Sequence, residues 1–110
     1  HAAPYDRHPS DLREWQQHNA TDEVFCLLRG HCVLFVAGNG EAPGEIQAVA
    51  LEPLKLYNVR CGAWHARILD EDSSLIIVEN DDTSDVNSRG SAMTADQHAR
   101  MNELVKTLRR

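Results

Sequence analysis

Two histidines and one glutamate in this sequence carry side chains that could bind a metal ion. Four residues separate His18 from Glu23, with a turn-forming stretch between them, and His65 comes three residues after Gly62. Two imidazoles and one carboxylate are a recurrent ligand set for divalent transition metals, and they leave coordination positions open for a substrate. If the fold brings the three side chains into one cavity, they could hold Zn, Fe, Mn or Ni.

Short apolar runs separated by turn residues must position these side chains. The runs are rich in β-branched, aromatic and aliphatic residues, which is typical of β-strands. They span residues 23–29, 31–37, 46–51, 55–59, 64–69 and 75–79. Gly30 lies between the first two runs, so we predict a hairpin there. We expect a second hairpin to place His18 and Glu23 on one face.

The segments that flank the strands are less regular. Residues 1–10 show no periodicity, and residues 11–18 fit either a short helix capped by Ser10 or a strand. The polar composition of residues 80–91 predicts a loop.

The end of the chain predicts an amphipathic helix over residues 94–109. Thr94 and Gln97 have the spacing of a capping box. Apolar residues then follow at helical spacing, namely Met101, Leu104, Val105 and Leu108. We expect this helix to pack over the β-structure or to form a dimer contact.

Many short strands with regular turns predict an all-β fold, an antiparallel sandwich or barrel with a C-terminal helix. The chain has 110 residues, which predicts a single domain over 1–110. Its hydrophobic fraction of 42% and charged fraction of 25% are ordinary globular values.

Two motifs resemble those of the cupin family. His18–Gly30 has the pattern H-x4-E-x6-G, which resembles the later part of the first cupin motif, and Gly62–His65 resembles the G-x2-H core of the second. The phrase RCGAWHARIL followed by LIIVEN is similar to small single-domain cupins, with a fainter likeness to ureidoglycolate lyase. The motifs and the strands between them cover about residues 16–80.

This resemblance implies a cupin-type jelly-roll barrel, a metal held by histidines and a glutamate, and a homodimer. The ligands that carry over are His18, Glu23 and His65. Where the family has a further histidine, this chain has Gln16, which could supply an amide oxygen or hydrogen-bond a bound water. The second motif also departs from the family at Leu54, where a glycine would fall.

Strand alternation adds a candidate anchor for a substrate. Side chains in a strand point to alternate faces, so Arg67 shares a face with His65. A buried guanidinium without a partner is costly. Arg67 therefore either binds a substrate carboxylate or pairs internally with Glu23 or Glu79, and internal pairing is slightly favoured.

The same alternation suggests what else lines the cavity. Phe25 and Leu27 share the face of Glu23, so they would form an apolar wall. Tyr57 could place a substrate-binding phenol at the rim, or it could fill the core.

Together these inferences predict a metal-dependent enzyme in which Glu23 and His65 take part in catalysis. A lyase, isomerase or oxygenase reaction on a small polar or acidic metabolite would suit the site. The alternative is a metal-free cupin that binds a small ligand or acts as a sensor. A third possibility is a protein-interaction module whose His and Glu residues have no chemical role.

The charge and hydropathy of the chain argue against nucleic acids and membranes as partners and leave a small molecule as the expected ligand. The chain has 11 Lys and Arg against 17 Asp and Glu, a net charge of −6. Nucleic acids and anionic membrane surfaces favour basic proteins, so we expect neither as a partner. There is no apolar run long enough for a transmembrane helix and no signal-peptide pattern, so we expect a cytoplasmic protein. The odd count of 3 cysteines argues against a disulfide framework.

Overall fold

The computed structural model of the chain describes residues 7–19, 21–79 and 88–108. These residues form eight strands, a C-terminal helix and a short 3-10 turn at Pro9–Asp11. The strands are β1 (Glu14–His18), β2 (Glu23–Arg29), β3 (Cys32–Val36), β4 (Gln47–Ala50), β5 (Leu56–Val59), β6 (His65–Leu69), β7 (Ser74–Val78) and β8 (Ser88–Ala92), and the helix is α1 (Ala95–Leu108).

The strands pair into two antiparallel sheets. One sheet has the order β4-β3-β6-β1-β8, and the other has the order β5-β2-β7. The register places Gln16 of β1 opposite His65 of β6, and Phe25 of β2 between Tyr57 and Ile77. Each strand that carries a predicted metal ligand therefore lies inside its sheet, with a neighbour on both sides.

An apolar layer lies between the two sheets. Phe25, Leu27 and Leu75 of the three-stranded sheet belong to the same buried cluster as Leu34 and Leu69 of the five-stranded sheet. All five side chains are nearly inaccessible to solvent. The predicted all-β antiparallel class is therefore confirmed as two packed sheets, and among the described strands no ladder closes them into a barrel.

The C-terminal helix covers the other face of the five-stranded sheet. Met101 and Val105 of α1 are buried in a second cluster, which includes Trp15 and Phe35 from the sheet. The predicted capping box is confirmed: the Gln97 N–H donates to Thr94 Oγ1 at 3.1 Å, and the Thr94 N–H donates to Gln97 Oε1 at 2.9 Å. The helix thus packs over the sheet, as one of the two interpretations predicted.

Both predicted hairpins are wrong, because the strands they were meant to join belong to different sheets. β1 and β3 lie in the five-stranded sheet, whereas β2 lies in the three-stranded sheet. At Gly30 the φ angle is +87°, and a Cβ there would lie 2.6 Å from the Cα of Ser73. The His31 N–H donates to Ser73 Oγ at 2.9 Å, which fixes this corner. Gly30 therefore sends the chain across to the other sheet.

Two flanking segments also differ from prediction. The ambiguous segment 11–18 contains strand β1, and the predicted loop 80–91 ends in strand β8, which pairs with β1 along its whole length. β8 lies at the edge of its sheet and is polar, so it lacks the apolar alternation that identifies a strand. Residues 1–6, 20, 80–87, 109 and 110, which include parts of the predicted irregular start and loop, lie outside the described residues.

No helix in the described part of the chain is both long and apolar enough to cross a membrane.

Candidate metal centre

The three predicted ligands come from three strands in two sheets. His18 ends β1 and His65 begins β6, which are neighbours in the five-stranded sheet. Glu23 begins β2, and it shares a face with Phe25 and Leu27, which lie between the sheets. The two imidazoles and the carboxylate therefore approach one another across the gap between the sheets. The predicted hairpin is not needed to bring them together, because the two sheets face each other.

The ligand atoms converge closely. One ligand atom from each of His18, Glu23 and His65 lies within 4.8 Å of the other two. Nε2 of His18 is 2.6 Å from Oε1 of Glu23, and Nε2 of His65 is 3.3 Å from the same oxygen. The side chains of Glu23 and His65 are each 5% exposed and that of His18 is 16% exposed, so the cluster is buried with its most open side at His18.

The hydrogen bond at the far nitrogen of His65 sets which ring atom faces the carboxylate. Nδ1 of His65 lies 3.0 Å from the carbonyl oxygen of Ala63. A carbonyl only accepts, so Nδ1 carries the proton and, in the neutral ring, Nε2 presents its lone pair to Glu23. Metal-binding histidines are oriented in this way by a backbone carbonyl.

Glu23 Oε1 is the atom in this cluster whose bonding is incomplete. It is fully buried, and within the described part of the chain its contacts with Nε2 of His18 at 2.6 Å and Nε2 of His65 at 3.3 Å lack hydrogen-bond geometry. A lone pair of neutral His65 facing a carboxylate oxygen is repulsive unless a cation lies between them. His18, Glu23 and His65 thus form a group that could hold a metal ion.

The surroundings keep Glu23 ionised. Burial raises the pKa of Glu23, but the hydrogen bond of His65 and the charges that His65 and His18 carry when protonated lower it by more, so the pKa of Glu23 lies below its ordinary value. A carboxylate that stays charged in a buried site is the protonation state that a metal ligand needs.

A second carboxyl group adjoins the site, and the sequence analysis named it only as a possible partner of Arg67. Glu79 directly follows β7 and lies across from Glu23, one pair beyond Val24 and Val78. Burial, the charge of Glu23 and a hydrogen bond to Glu23 raise the pKa of Glu79. The position of Glu79 in the alternation of β7 was the available signal in the sequence. It indicates a place beside Glu23 only once the pairing of β7 with β2 is known.

Buried Gln17 holds the turn that carries His65. Its Nε2 donates to the carbonyl oxygen of Gly62 at 2.8 Å and to that of Gly40 at 3.2 Å. The Gly62 N–H in turn donates to the carbonyl oxygen of His18 at 2.7 Å. Sequence reasoning missed Gln17 because a polar residue between Gln16 and His18 gives no sign of being buried.

Asp22 ties the same turn to the start of β2. Its carboxylate accepts from the Cys61 N–H at 2.6 Å and from the side-chain amide of Asn58 at 3.1 Å. These two bonds, the Cys61 N–H first, hold the pKa of Asp22 below its usual value. Hydrogen bonds thus hold Asp22, the residue before Glu23, against the turn at 61–62 that leads to His65.

The other predicted site residues make different contacts. Gln16 is paired with His65 in the ladder, but its side-chain amide donates to Glu14 Oε1 at 2.7 Å. The Tyr57 hydroxyl accepts from the Glu52 N–H at 2.9 Å, so the phenol is engaged at the turn before β5.

Arg67 lies on the inner face of β6, as predicted. It is half-buried, with its guanidinium carbon 5.9 Å from the ring centre of Phe25. Among the described residues, which include Glu23 and Glu79, no carboxylate forms an ion pair with Arg67. The internal pairing that we slightly favoured is therefore not found.

The cysteines contribute no ligand to this cluster. Cys26, Cys32 and Cys61 are all free thiols, as predicted, and Cys61 is exposed. Burial raises the pKa of the Cys32 thiol to about 12, so that thiol stays protonated at neutral pH.

Comparison with known proteins assigns no family to the chain: no protein-family model matches it, and neither does any curated protein sequence.

Proposed function

We propose that this chain is a small cupin-like jelly-roll protein that binds a divalent transition metal through His18, Glu23 and His65 and acts on a small acidic metabolite. The observation that carries the proposal is the convergence of two imidazole nitrogens on a buried carboxylate oxygen, with His65 oriented by the Ala63 carbonyl. The motif spacings that resemble cupins support the same interpretation.

The ligand set leaves room for a substrate. Three protein ligands supply one negative charge and leave at least one coordination position open on a transition metal. A bound metal of this kind polarises a carbonyl or carboxylate oxygen as a Lewis acid, which suits a lyase or isomerase, and iron would also suit an oxygenase.

Arg67 supports an acidic substrate. A half-buried guanidinium without a described carboxylate partner is favourable only with an anion nearby or with solvent access. Arg67 lies two residues after His65, which corresponds to about 7 Å along a strand. A molecule that bound the metal at one end and Arg67 through a carboxylate would therefore contain a few carbon atoms, and Phe25 would form an apolar wall beside it.

Metal content is the direct test. The chain is purified without chelator, loaded with Zn, Fe, Mn or Ni, dialysed and analysed by mass spectrometry of the elements. We expect one transition metal per chain, and His65→Ala and Glu23→Gln should lose it while circular dichroism shows the β-fold retained. His31→Ala and Glu45→Gln are the matched controls, since both side chains are exposed and outside the cluster, and they should keep the metal. Equal metal content in all five proteins would refute the site.

The role of Arg67 is tested with a simple dianion. Oxalate binds metals through two oxygens, so its binding to the loaded protein is measured by calorimetry. We expect Arg67→Gln to weaken oxalate binding about tenfold or more, because the substitution removes a charge-assisted hydrogen bond. The metal content should stay unchanged. Unchanged oxalate affinity would remove Arg67 from the site.

One distance favours a second candidate, a metal-free cupin that binds a small ligand without catalysis. Two atoms that each lie about 2.0–2.1 Å from one tetrahedral metal are roughly 3.3 Å apart, whereas His18 Nε2 and Glu23 Oε1 are 2.6 Å apart. That shorter distance suits a direct ion pair between a protonated His18 and Glu23. Failure of the chain to retain any of the four metals would select this candidate.

A further inference from the structure

A cavity lies at the end of the five-stranded sheet that is remote from the candidate metal centre. Its volume is about 460 Å³, which falls within the range of about 300–1,000 Å³ that is typical of small-molecule sites. Side chains near the start of β3, the ends of β4 and β6, and the last turn of α1 form its walls. His65 begins β6 and Asp70 follows its last residue, a separation of about 17 Å along the strand. The cavity is therefore separate from the metal centre.

The pairing of β3 with β6 brings two polar side chains to this end of the sheet. Cys32 lies opposite Leu69 in the ladder, so the next residues outward, His31 and Asp70, meet beyond it. The Asp70 N–H donates to the carbonyl oxygen of His31 at 3.1 Å, and Nδ1 of His31 is 3.5 Å from Oδ2 of Asp70. Both side chains line the cavity and are partly open to solvent. They therefore mark its mouth.

The rest of the cavity wall is apolar. Val33 and Ile68 are buried members of the cluster beneath α1, and Leu108 is the last residue of that helix. Leu51 comes from the other cluster, the one between the two sheets. All four side chains line the cavity. Hydrocarbon placed there would leave water for an apolar surface, which favours binding.

The charges around the cavity favour a cation. Asp70 supplies a carboxylate, and among the described residues no lysine or arginine lines the cavity. The turn that follows adds two carboxylates, of which Glu71 pairs with Arg7 at 2.9 Å and Asp72 is exposed. The C-terminal end of a helix carries a partial negative charge, and Leu108 places that end of α1 at the cavity.

We infer that this cavity binds a small organic amine, a molecule with one ammonium group and a compact hydrocarbon or aromatic body. The ammonium would contact the carboxylate of Asp70, and the body would pack on Val33, Ile68 and Leu108. A carboxylate offers about four acceptor sites, so Asp70 can hold an ammonium and keep its contact with His31. The cavity shares no residue with the candidate metal centre, so this inference does not depend on metal binding.

Three probes with the same phenyl body test the choice of charge. Phenethylamine is cationic at neutral pH, phenylethanol is neutral and phenylpropionate is anionic. Each is titrated into the full chain while the assigned methyl NMR signals of Val33, Ile68 and Leu108 are followed. We expect saturable shifts with phenethylamine, and a dissociation constant at least about tenfold lower than that of phenylethanol, because the ammonium adds a charge-assisted hydrogen bond. Phenylpropionate should bind more weakly than phenylethanol.

Two results of these titrations would overturn the inference. One is the absence of shifts at about 10 mM phenethylamine, and the other is equal affinity for the three probes. Shifts confined to the residues around Glu23 would also overturn it, because they would place the amine at the candidate metal centre.

A substitution at Asp70 tests the contact with the ammonium. Asp70→Asn should weaken phenethylamine binding about tenfold or more and leave the affinity for phenylethanol unchanged. Asp72→Asn is the matched control, because Asp72 lies in the same turn, is exposed and does not line the cavity. It should bind both probes like the wild type. Equal losses in the two variants, or no loss in Asp70→Asn, would refute the contact.

A larger side chain at the rim tests the cavity itself. Ala50 lines the cavity, is exposed and lies opposite Val33 in the ladder. Ala50→Phe would therefore fill part of the space without changing a buried residue, and it should abolish binding of both phenethylamine and phenylethanol. Val49→Phe is the control, since Val49 is exposed and points to the other face of β4, and it should keep both affinities. Wild-type affinity in Ala50→Phe would contradict the assignment of this cavity.

Discussion

The two ends of the space between the sheets differ in chemistry although the same strands form both. On β2, Glu23 lies at one end and Leu27 at the other, four residues apart on one face. On β6, His65 and Leu69 are related in the same way. All four side chains are nearly fully buried. The alternation of a strand thus decides which face a residue occupies, and the position along the strand decides whether that face is polar or apolar.

This difference has an energetic consequence. At the apolar end, Leu27, Leu69 and Leu75 pack with one another, and the transfer of their side chains out of water is favourable. At the polar end, burial of Glu23 carries a desolvation cost, which its contacts with His65 and His18 outweigh. We expect the apolar end to contribute more to the stability of the fold, because burial of its leucine side chains meets no such opposing cost.

The largest effect should come from truncating the apolar end. Leu27→Ala removes a fully buried side chain and should lower the free energy of unfolding by about 2–5 kcal/mol, because it leaves a cavity between the sheets. His65→Ala, at the polar end, should cost the metal-free protein no more than about 1–2 kcal/mol. Urea unfolding of both variants without metal measures the difference, and equal losses would mean that the polar end is structural.

The turns at Gly30 and Gly62, one at each end, allow a second comparison of how substitutions at the two ends affect stability. Gly30→Ala should lose about 2–4 kcal/mol, since a φ of +87° is unfavourable for alanine and the new Cβ meets the Ser73 backbone. Gly62→Ala has a φ of +85° but a nearest neighbour at 4.0 Å, so it should lose only about 1–2 kcal/mol. Thermal unfolding ranks the two variants. The reverse order would show that the corner at the polar end is the more constrained.

Metal should stabilise the chain only through the polar end. At a free metal concentration 100 times the dissociation constant, the wild-type free energy of unfolding should rise by about 2.7 kcal/mol. Leu69→Ala, which starts from lower stability, should gain the same increment, and Glu23→Gln should gain none. Urea unfolding with and without Zn measures these increments. A gain in Glu23→Gln equal to that of wild type would place the metal elsewhere.

The smallest effect is expected at Asp22, which is fully exposed and acts through hydrogen bonds. Its pKa in the folded chain lies below the ordinary value of 3.8, so the stabilisation by its carboxylate is complete above that pH and is lost as the pH falls through the lowered pKa. Asp22→Asn should therefore be less stable than wild type at neutral pH, and the difference should shrink in acid below pH 3.8. Unfolding at a series of pH values checks this. A difference in stability that stays constant with pH would show that the charge of Asp22 does not cause it.

Local sequence patterns predicted the elements well. Each of the six apolar runs overlaps a strand, and the capping box at Thr94 begins the helix where its spacing indicated. The candidate ligands His18, Glu23 and His65 do meet. These successes depend on short-range features, the two-residue period of strands and the fixed spacing of a helix cap.

The errors arose where the partner of a segment is distant in the chain. The hairpin predicted at Gly30 failed because β2 pairs with β5 and β7, and nothing local distinguishes that pairing from one with β3. β8 went unnoticed because its partner β1 precedes it by about 70 residues. For Arg67, internal pairing was slightly favoured over binding of a substrate carboxylate, but its guanidinium lies over Phe25 instead.

The sequence by itself determined where six of the eight described strands lie and which side chains have the chemistry to bind a metal. Only the tertiary structure decided which sheet each strand joins, that Glu79 lies beside Glu23, and that the Ala63 carbonyl turns Nε2 of His65 toward the carboxylate. The reason is physical: alternation is set by the geometry of each residue with its neighbours in the chain, whereas strand pairing depends on how apolar faces from distant segments bury one another.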